Sequence, residues 1–289
     1  MPPLIQLLRP HQWTKNTACL AGVVFGGKIT NPSAIGSGFV TLICFCLAAS
    51  AMYIFNDLQD LERDRQHPKK RFRPLASGQV AIPIAVGVSV LLLGIALVAA
   101  LQLSGATLTC LIIYIAINLA YSLKLKHIAL FDVGCIATGF VLRLLAGIYA
   151  IAEIPTASII LCTFFLAMFL GFAKRRTELA QLQGKENLQR PVLSQYSLPF
   201  LDSLVNNAAV MAVVSYALFS TNPSKNPTLV LTLPIVQYAI LYYKSLIFHQ
   251  SNTEEPDQIL LRDRRIIFSI LLWLVTYIAI FYGDVRLFR

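Results

Sequence analysis

Long apolar runs separated by shorter polar loops dominate the 289-residue chain. A helix needs about 20 apolar residues to cross the hydrocarbon core of a membrane, and on that measure the sequence predicts nine spans. Their approximate bounds are 12–29, 33–55, 80–102, 106–121, 128–151, 155–173, 200–220, 228–248 and 266–283. No strand-type alternation of useful length competes with this pattern. The sequence therefore predicts an all-α polytopic membrane protein.

The loops between these spans alternate between nearly uncharged and highly charged. The charged ones are 56–79, 122–127, 174–199 and 249–265. Together with Arg9 and Lys15 they carry 18 of the 24 lysines and arginines. By the positive-inside rule this face is cytoplasmic, so the N-terminus is inside and nine spans leave the C-terminus outside. We expect one integral-membrane domain over 1–289, in the cytoplasmic (inner) membrane, capped by these polar loops.

Composition narrows the possible partners. A mean hydropathy of +0.66 and 13% charged residues exclude an ordinary soluble domain. The net charge of +10 lies in short loops between spans, which indicates anionic lipid or phosphorylated substrates and no nucleic-acid partner. The six cysteines fall in apolar runs and are predicted to be buried thiols. A homo-oligomer is compatible with the sequence.

Acidic side chains recur at helical spacing at the start of the first charged loop. Asp57, Asp60 and Asp64 stand at positions i, i+3 and i+7, which a helix would place on one face. Three like charges on one face repel unless a cation lies between them, and hard oxygen ligands suit Mg²⁺ shared with substrate phosphates. Asn56 adds an amide that can ligate or orient a carboxylate. We therefore predict a magnesium site here.

These acids have two other possible interpretations. A solvated helix end would pair them with the neighbouring bases Arg63, Arg65 and Lys69. A Ca²⁺ loop is disfavoured because glycine and glutamate are missing at EF-hand spacing. The shared helical face at the membrane edge favours the magnesium site over both.

A run of bases follows the acids. It comprises Lys69, Lys70, Arg71 and Arg73, bounded by Pro68 and Pro74. Because each proline disfavours helix at the residue before it, we predict a constrained turn. Acids that hold a metal, followed by bases on a rigid turn, would clamp a diphosphate. The alternative is a basic patch that touches anionic lipid.

These motifs resemble a known family. Asn56-Asp57-x-x-Asp60-x-x-x-Asp64 is similar to the first aspartate-rich motif of the UbiA superfamily of intramembrane transferases. The continuation through Ser77-Gly78, and Arg9-Pro10-x-Gln12-Trp13-x-Lys15-Asn16 before the first span, resemble its polyprenyl-phosphate phosphoribosyltransferase branch. The resemblance implies nine helices around a central lipid-facing cavity. It also implies bound Mg²⁺, with Asp60 and Asp64 as the catalytic ligands and Asn56 and Asp57 in support.

Further polar positions complete the expected site. Asp132 stands alone where many superfamily members carry a second acidic motif, which favours direct pairing of phosphate with bases. The expected donor-phosphate residues are Lys15, Asn16, Lys70, Arg71, Arg73, Tyr121, Lys124 and Lys174. For the acceptor we expect Lys126 and the intramembrane Arg143, which must face protein because a charge at mid-membrane is costly. Interfacial anchoring for Lys126 and a structural role for Arg143 are the alternatives.

The predicted reaction is Mg²⁺-dependent transfer of 5-phosphoribose from phosphoribosyl pyrophosphate to a decaprenyl-type polyprenyl phosphate. Diphosphate would be released, and the product would feed arabinan-type cell-wall precursors. The alternative is a prenyltransferase that moves a prenyl group from its diphosphate to an aromatic acceptor. The many bases and the reduced second acidic motif favour the first reaction. A transporter is disfavoured because the spans contain no acidic relay.

Overall fold

The computed structural model describes residues 2–181, 191–222, 225–249, 262–283 and 285–287. Within these residues the regular structure is entirely helical. The α-helices are α1 (Pro3–Leu8), α2 (Ala21–Phe25), α3 (Pro32–Gln59), α4 (Leu61–Gln66), α5 (Ile82–Leu103), α6 (Gly105–Leu123), α7 (Phe131–Ala150), α8 (Ala157–Gln181), α9 (Leu198–Ser220), α10 (Leu233–His249) and α11 (Arg264–Tyr282). Residues 182–190 and 250–261 of the predicted polar loops lie outside the described residues.

Eight of the described helices are long and apolar enough to cross a membrane. They are α3, α5 to α9, α11, and α10 taken together with the 3-10 helix before it (Pro227–Phe248), and each overlaps one of the predicted spans. The first predicted span, 12–29, differs: it consists of a 3-10 helix, Pro10–Leu20, followed by the five-residue α2. Polar side chains interrupt this stretch, and Asn16 is buried within the protein. The prediction of an all-α membrane protein is confirmed, and the count of nine spans is approximate.

The surface of α5 shows why these helices belong in lipid. Val90, Leu91 and Val98 expose 65%, 61% and 63% of their surface. Apolar side chains exposed along a whole helix are unfavourable in water and favourable in hydrocarbon, where the helix also satisfies its own backbone hydrogen bonds. The chain is therefore a multi-pass membrane protein.

The chain divides into two compact units. One unit comprises Met1–Lys126 and Thr138–Pro155. Its core packs α3, α5, α6 and the later part of α7 around buried side chains that include Phe45, Leu111 and Tyr114. A second cluster, which includes Leu7, Ile54 and Leu75, packs around the end of α3, which carries the first acidic residues.

The second unit comprises His127–Ala137 and Thr156–Arg289. Its core is formed by α8, α9, α10 and the start of α7 and α11, around buried side chains such as Phe169 and Leu201. Gly171 of α8 lies against the side chain of Val133, where a methyl group would overlap Val133. The start of α7 therefore packs closely on α8.

The polar segment after α3 folds as its prolines predict. Helix α4 ends at Gln66, and His67 is extended (φ −83°, ψ 132°) immediately before Pro68. A short 3-10 helix, Lys70–Phe72, follows, and Arg73 is again extended before Pro74. The predicted constrained turn is thus confirmed, and we call residues 67–74 the basic turn.

Candidate active site

The acidic residues straddle a break between two helices. Asn56 and Asp57 lie in the last turn of α3, and Asp60 (φ −94°, ψ 8°) separates α3 from α4, which carries Asp64. The single continuous helix suggested by their spacing is therefore interrupted at Asp60. The backbone amide of Asp64 still donates to the carbonyl of Asp60 at 2.8 Å, so the chain continues in a helical direction. We call Asn56, Asp57, Asp60 and Asp64 the acid cluster.

Arg73 of the basic turn joins two of these acids. Its Nη1 donates to Asp57 Oδ1 at 3.0 Å and to Asp64 Oδ2 at 2.5 Å. Both carboxylates are buried, with side-chain exposures of 3% and 4%. A buried carboxylate needs a charged or hydrogen-bonding partner, and here that partner comes from the basic turn. The folding of the turn thus brings Arg73 to two of the acids.

Lys126 binds the third acid. Its Nζ lies 2.9 Å from both carboxylate oxygens of Asp60 and 3.4 Å from the side-chain oxygen of Asn56. Lys126 thus contacts the acid cluster although it lies 66 positions from Asp60 in sequence, and its role at the acceptor stays a prediction. The neighbouring bases Arg63, Arg65 and Lys69 are not the partners of the three aspartates; Arg65 instead pairs with Glu62 at 2.8 Å.

Arg9 is the functional candidate that sequence reasoning missed. Its Nη2 donates to Asp57 Oδ1 at 2.5 Å, and its guanidinium lies 5.0 Å from the centroid of the Tyr53 ring. Arg9 adopts a left-handed backbone conformation (φ 52°, ψ 58°), which is unfavourable for a residue with a Cβ. The resemblance of the Arg9–Asn16 motif was a signal, but only the fold shows that Arg9 reaches Asp57.

A hydrogen-bond chain holds the backbone around Arg9. The Trp13 indole N–H donates to Ser50 Oγ at 3.0 Å, and Ser50 Oγ donates to the carbonyl of Leu8 at 2.9 Å. Both ends of the turn are thus tied to α3, the helix that also carries Asp57. The strained conformation of Arg9 is therefore fixed by neighbouring structure, as strained residues at functional sites commonly are.

Arg143 lies in a separate polar contact within the first unit. Its Nε donates to Asn16 Oδ1 at 2.7 Å, its Nη2 donates to the Tyr114 hydroxyl at 2.9 Å, and 7% of the residue is exposed. Gly147, one helical turn further along α7, faces the backbone of Cys19 so closely that a Cβ would overlap it. This close approach brings Asn16 to Arg143. Asn16 and Arg143 are therefore placed with each other, and no described contact joins either to the acid cluster.

The remaining bases of the basic turn and the 122–127 loop are more open. Lys70 Nζ lies 4.0 Å from Asp64 Oδ1, with 41% of the lysine side chain exposed. Arg71 is exposed and stacks over Phe72 at 4.9 Å, and Lys124 is exposed. Of these three, the structure places Lys70 at the acid cluster.

Three other predicted donor residues lie outside these contacts. Lys15 and Tyr121 are half-buried in the first unit. Lys174 is half-buried in α8 of the second unit, because α8 continues to Gln181 where a loop was expected. Each of the three makes some polar or electrostatic contact. Their assignment to the donor stays a prediction.

Asp132 has a structural environment in the second unit. Its Oδ2 accepts from Arg175 Nε at 2.6 Å and its Oδ1 accepts from the Tyr196 hydroxyl at 2.7 Å, and Asp132 is fully buried. The Tyr196 hydroxyl in turn accepts from the Leu130 amide at 2.6 Å. Burial raises the pKa of Tyr196, and its hydrogen bond to Asp132 raises that pKa further, so the phenol remains a proton donor. Both carboxylate oxygens of Asp132 are therefore engaged.

The acid cluster has the right donor types for Mg²⁺. Three carboxylates and one amide supply the hard oxygen atoms that this ion prefers, and Mg²⁺ is usually held by one or two carboxylates together with substrate phosphates and water. Among the described residues, no group of three or more histidine, cysteine, aspartate or glutamate side chains is arranged to hold a metal by itself. Basic groups contact the acid oxygens instead, so metal binding requires some of these ion pairs to open.

Comparison with known proteins agrees with the fold and with these motifs. The chain matches the UbiA prenyltransferase family over residues 17–270. It is 31% identical to decaprenyl-phosphate phosphoribosyltransferase of Corynebacterium glutamicum, covering 96% of this chain and 86% of that protein. The protein of the same name in Mycolicibacterium smegmatis is 32% identical, with 96% and 92% covered.

A solved structure has the same fold. A UbiA homologue from Archaeoglobus fulgidus, bound to DMAPP and Mg²⁺, superposes with a TM-score of 0.73 over 97% of this chain and 100% of that chain. Its sequence identity is 21%, so the likeness concerns the fold alone. The family match, by contrast, spans most of the sequence, from the 3-10 helix before the first long helix into α11. This chain therefore belongs to the UbiA prenyltransferase family.

Proposed function

We propose that this protein transfers 5-phosphoribose from phosphoribosyl pyrophosphate to a decaprenyl-type polyprenyl phosphate and releases diphosphate. The observation that carries the proposal is the surplus of bases at the acid cluster. Asp57, Asp60 and Asp64 are contacted by four cationic side chains, namely Arg9, Lys70, Arg73 and Lys126. The proposed donor carries a diphosphate and a 5-phosphate, and the proposed acceptor lipid carries a phosphate. These anionic groups would bind the four cations. The names of the two bacterial relatives support the same reaction.

In the proposed reaction the bond between ribose C1 and the diphosphate oxygen breaks, and a lipid phosphate oxygen forms the new bond to C1 from the opposite face. Negative charge grows on the departing diphosphate, so cations placed beside it before the reaction stabilise the transition state. For this purpose we propose Arg73 and Lys70 of the basic turn, which lie 2.5 Å and 4.0 Å from the Asp64 carboxylate. The lipid phosphate is already an anion, so the attack needs no general base.

Asp60 and Asp64, with Asn56, are the proposed Mg²⁺ ligands. The bound ion would neutralise charge on the diphosphate and orient it. In the structure these acids form ion pairs with Lys126 and Arg73. Opening the pairs releases the carboxylates toward a metal and the bases toward phosphate at the same time. We therefore expect the cation and the diphosphate to bind cooperatively.

The charge distribution supports an orientation. Bases concentrate in the loops that follow α3 and α6 and near the end of α8, on the side predicted to be cytoplasmic. We propose an inner-membrane enzyme with its N-terminus inside and its site open to the cytoplasm. A water-soluble donor and a membrane-dissolved acceptor would then meet at the same interface.

Purified protein tests the proposal directly. It should be supplied with Mg²⁺, ribose-labelled phosphoribosyl pyrophosphate and decaprenyl phosphate, and the organic phase should be assayed for label. We expect a lipid-extractable sugar phosphate that disappears when EDTA is added. Absence of this product, alongside prenylation of an aromatic acid from a prenyl diphosphate under the same conditions, would overturn the proposal in favour of the alternative reaction.

A further inference from the structure

We infer that Asp57 is a positioning residue and not a metal ligand: it holds Arg9 and Arg73 as a two-guanidinium clamp for a donor phosphate group. The inference rests on the proposed function only in naming the donor. A diphosphate is present in both phosphoribosyl and prenyl donors, so the clamp itself can be tested without turnover. This role for Asp57 replaces the expectation that all three aspartates bind the metal.

The first argument concerns the two arginines that already bind Asp57. One of its oxygens, Oδ1, accepts from both guanidinium groups, at 2.5 Å from Arg9 and 3.0 Å from Arg73. Its side chain is 3% exposed, whereas that of Asp60 is 23% exposed and is contacted by a lysine. A metal bound at Asp57 would lie beside two permanent cations in a site of low dielectric, where like charges repel strongly. Asp64 is as buried as Asp57, but in the described contacts it accepts from one guanidinium, that of Arg73, whereas Asp57 accepts from two.

The second argument is the way Arg9 is held. Its backbone is fixed in the left-handed region by the contacts of Trp13, Ser50 and Leu8 described above. Its guanidinium packs over the Tyr53 ring while it reaches Asp57. A lysine paired with a carboxylate can change partner by rotating its chain, but this arginine is restrained both at its backbone and at its guanidinium. Such restraint is typical of a group that is prepared for a ligand.

The third argument is unused bonding capacity. A guanidinium has five N–H donors. In the described contacts, Arg9 reaches Asp57 through Nη2 alone and Arg73 reaches both aspartates through Nη1 alone. Their side chains are 21% and 28% exposed, so both arginines are partly accessible although the carboxylate they share is buried. Arg73 also binds Asp64, but the four cations Arg9, Lys70, Arg73 and Lys126 outnumber the three carboxylates of the acid cluster, which leaves a net positive charge. This combination suits bidentate binding of a phosphate.

The phosphate can belong to either end of the donor. The diphosphate and the ribose 5-phosphate offer the same oxygen chemistry to a guanidinium. Inorganic pyrophosphate and ribose 5-phosphate, used separately as probes, distinguish these two sources. The end whose affinity depends on Arg9 is the one that the clamp binds.

Metal and anion binding can be measured separately with Mn²⁺ in place of Mg²⁺. Binding of Mn²⁺ is followed by the loss of its free-ion EPR signal, and binding of each phosphate probe to the Mn²⁺-loaded protein by calorimetry. The variants are Asp57→Asn, Arg9→Met, Arg9→Lys and Asp64→Asn. Glu153→Gln is the matched control, because Glu153 forms an exposed pair with Lys28 and has no described contact with the acid cluster.

We expect Asp57→Asn and Arg9→Met to keep Mn²⁺ affinity within about twofold and to weaken one phosphate probe by about tenfold or more, the size expected for a lost charge-assisted contact. Arg9→Lys should recover only part of that affinity, because an ammonium cannot bind in bidentate fashion. Asp64→Asn should show the opposite pattern, with weakened Mn²⁺ binding.

Two results would overturn the inference. If Asp57→Asn weakens Mn²⁺ binding as much as Asp64→Asn does, Asp57 is a metal ligand. If Asp57→Asn lowers thermal stability but changes the affinity of neither probe, Asp57 is only structural. Both outcomes are independent of whether ribose or prenyl transfer occurs, so they are distinct from failure of the transfer assay.

Discussion

Asp57 and Asp132 are both buried aspartates held by arginine, but the two sites differ in what surrounds the ion pair. At Asp132 the arginine side chain is 3% exposed, and a tyrosine hydroxyl takes the second carboxylate oxygen. At Asp57 the two arginines are 21% and 28% exposed. The first pair is closed and the second is open toward a ligand. Exposure of the cation, more than the presence of an ion pair, thus distinguishes the structural contact at Asp132 from the proposed binding site at Asp57.

The closed pair should dominate stability. Removing one partner of a buried pair leaves an uncompensated charge and costs about 3–5 kcal/mol. We expect Arg175→Met to lower the free energy of unfolding by that amount, measured by denaturation in mixed micelles. The double variant Asp132→Leu with Arg175→Met should recover much of the loss, since no charge then remains buried. Equal stability of the single variant and the unmodified protein would contradict a structural role.

The open site should dominate activity. Asp60→Asn and Asp64→Asn each remove a proposed metal ligand, and we expect transfer to fall by about 10²–10³-fold, as when charge stabilisation is lost from a transition state. Formation of labelled lipid measures the effect. Glu62→Gln is the matched control, because Glu62 is 76% exposed on the same helix and pairs only with Arg65 among its described contacts. Full activity in the aspartate variants would remove the metal proposal.

Lys126 should govern the coupling between metal and diphosphate. Its ammonium competes with a cation for Asp60, so Lys126→Met should tighten Mn²⁺ binding in the absence of diphosphate by about tenfold, the equivalent of one charge-assisted contact. The same change should reduce the gain in Mn²⁺ affinity that pyrophosphate produces. Titrations with and without pyrophosphate measure both effects. A weaker metal affinity in the variant would show that Lys126 does not compete for Asp60.

The exposed pair Lys28–Glu153 should have the smallest effect. Its two side chains are each 39% exposed, and exposed ion pairs contribute about 0–1 kcal/mol. We expect Glu153→Gln to change the free energy of unfolding by no more than that range. We expect the rate of transfer to stay the same. Thermal denaturation and the labelled-lipid assay provide the two measurements. A loss as large as that of Arg175→Met would contradict the distinction between open and closed pairs.

Much of the fold follows from local patterns in the sequence. Eight spans, the break before Pro68 and the basic turn depend on hydrophobic length and on proline, which act over a few residues. The first predicted span was less regular than expected, because its polar residues make tertiary contacts: Asn16 bonds to Arg143 across 127 positions. The length of an apolar run alone does not predict that contact.

The partners of the acids illustrate the same limit. Spacing places Asp57, Asp60 and Asp64 near each other, and composition supplies enough bases. Which base meets which acid is decided by packing: Lys126 reaches Asp60 across 66 positions, and Arg9 reaches Asp57 across 48. Asp132, by contrast, accepts hydrogen bonds from Arg175 and Tyr196. These pairings depend on helix packing, so they could not be read from local sequence.

A crystal structure with Mn²⁺ and pyrophosphate tests the central claim most directly, because the anomalous signal of manganese locates the ion independently of the protein density. The account predicts manganese at Asp60 and Asp64, pyrophosphate oxygens on Arg9 and Arg73, and Asp57 still bonded to the two arginines. Manganese bound to Asp57, or an ion and pyrophosphate bound away from the acid cluster, would contradict it.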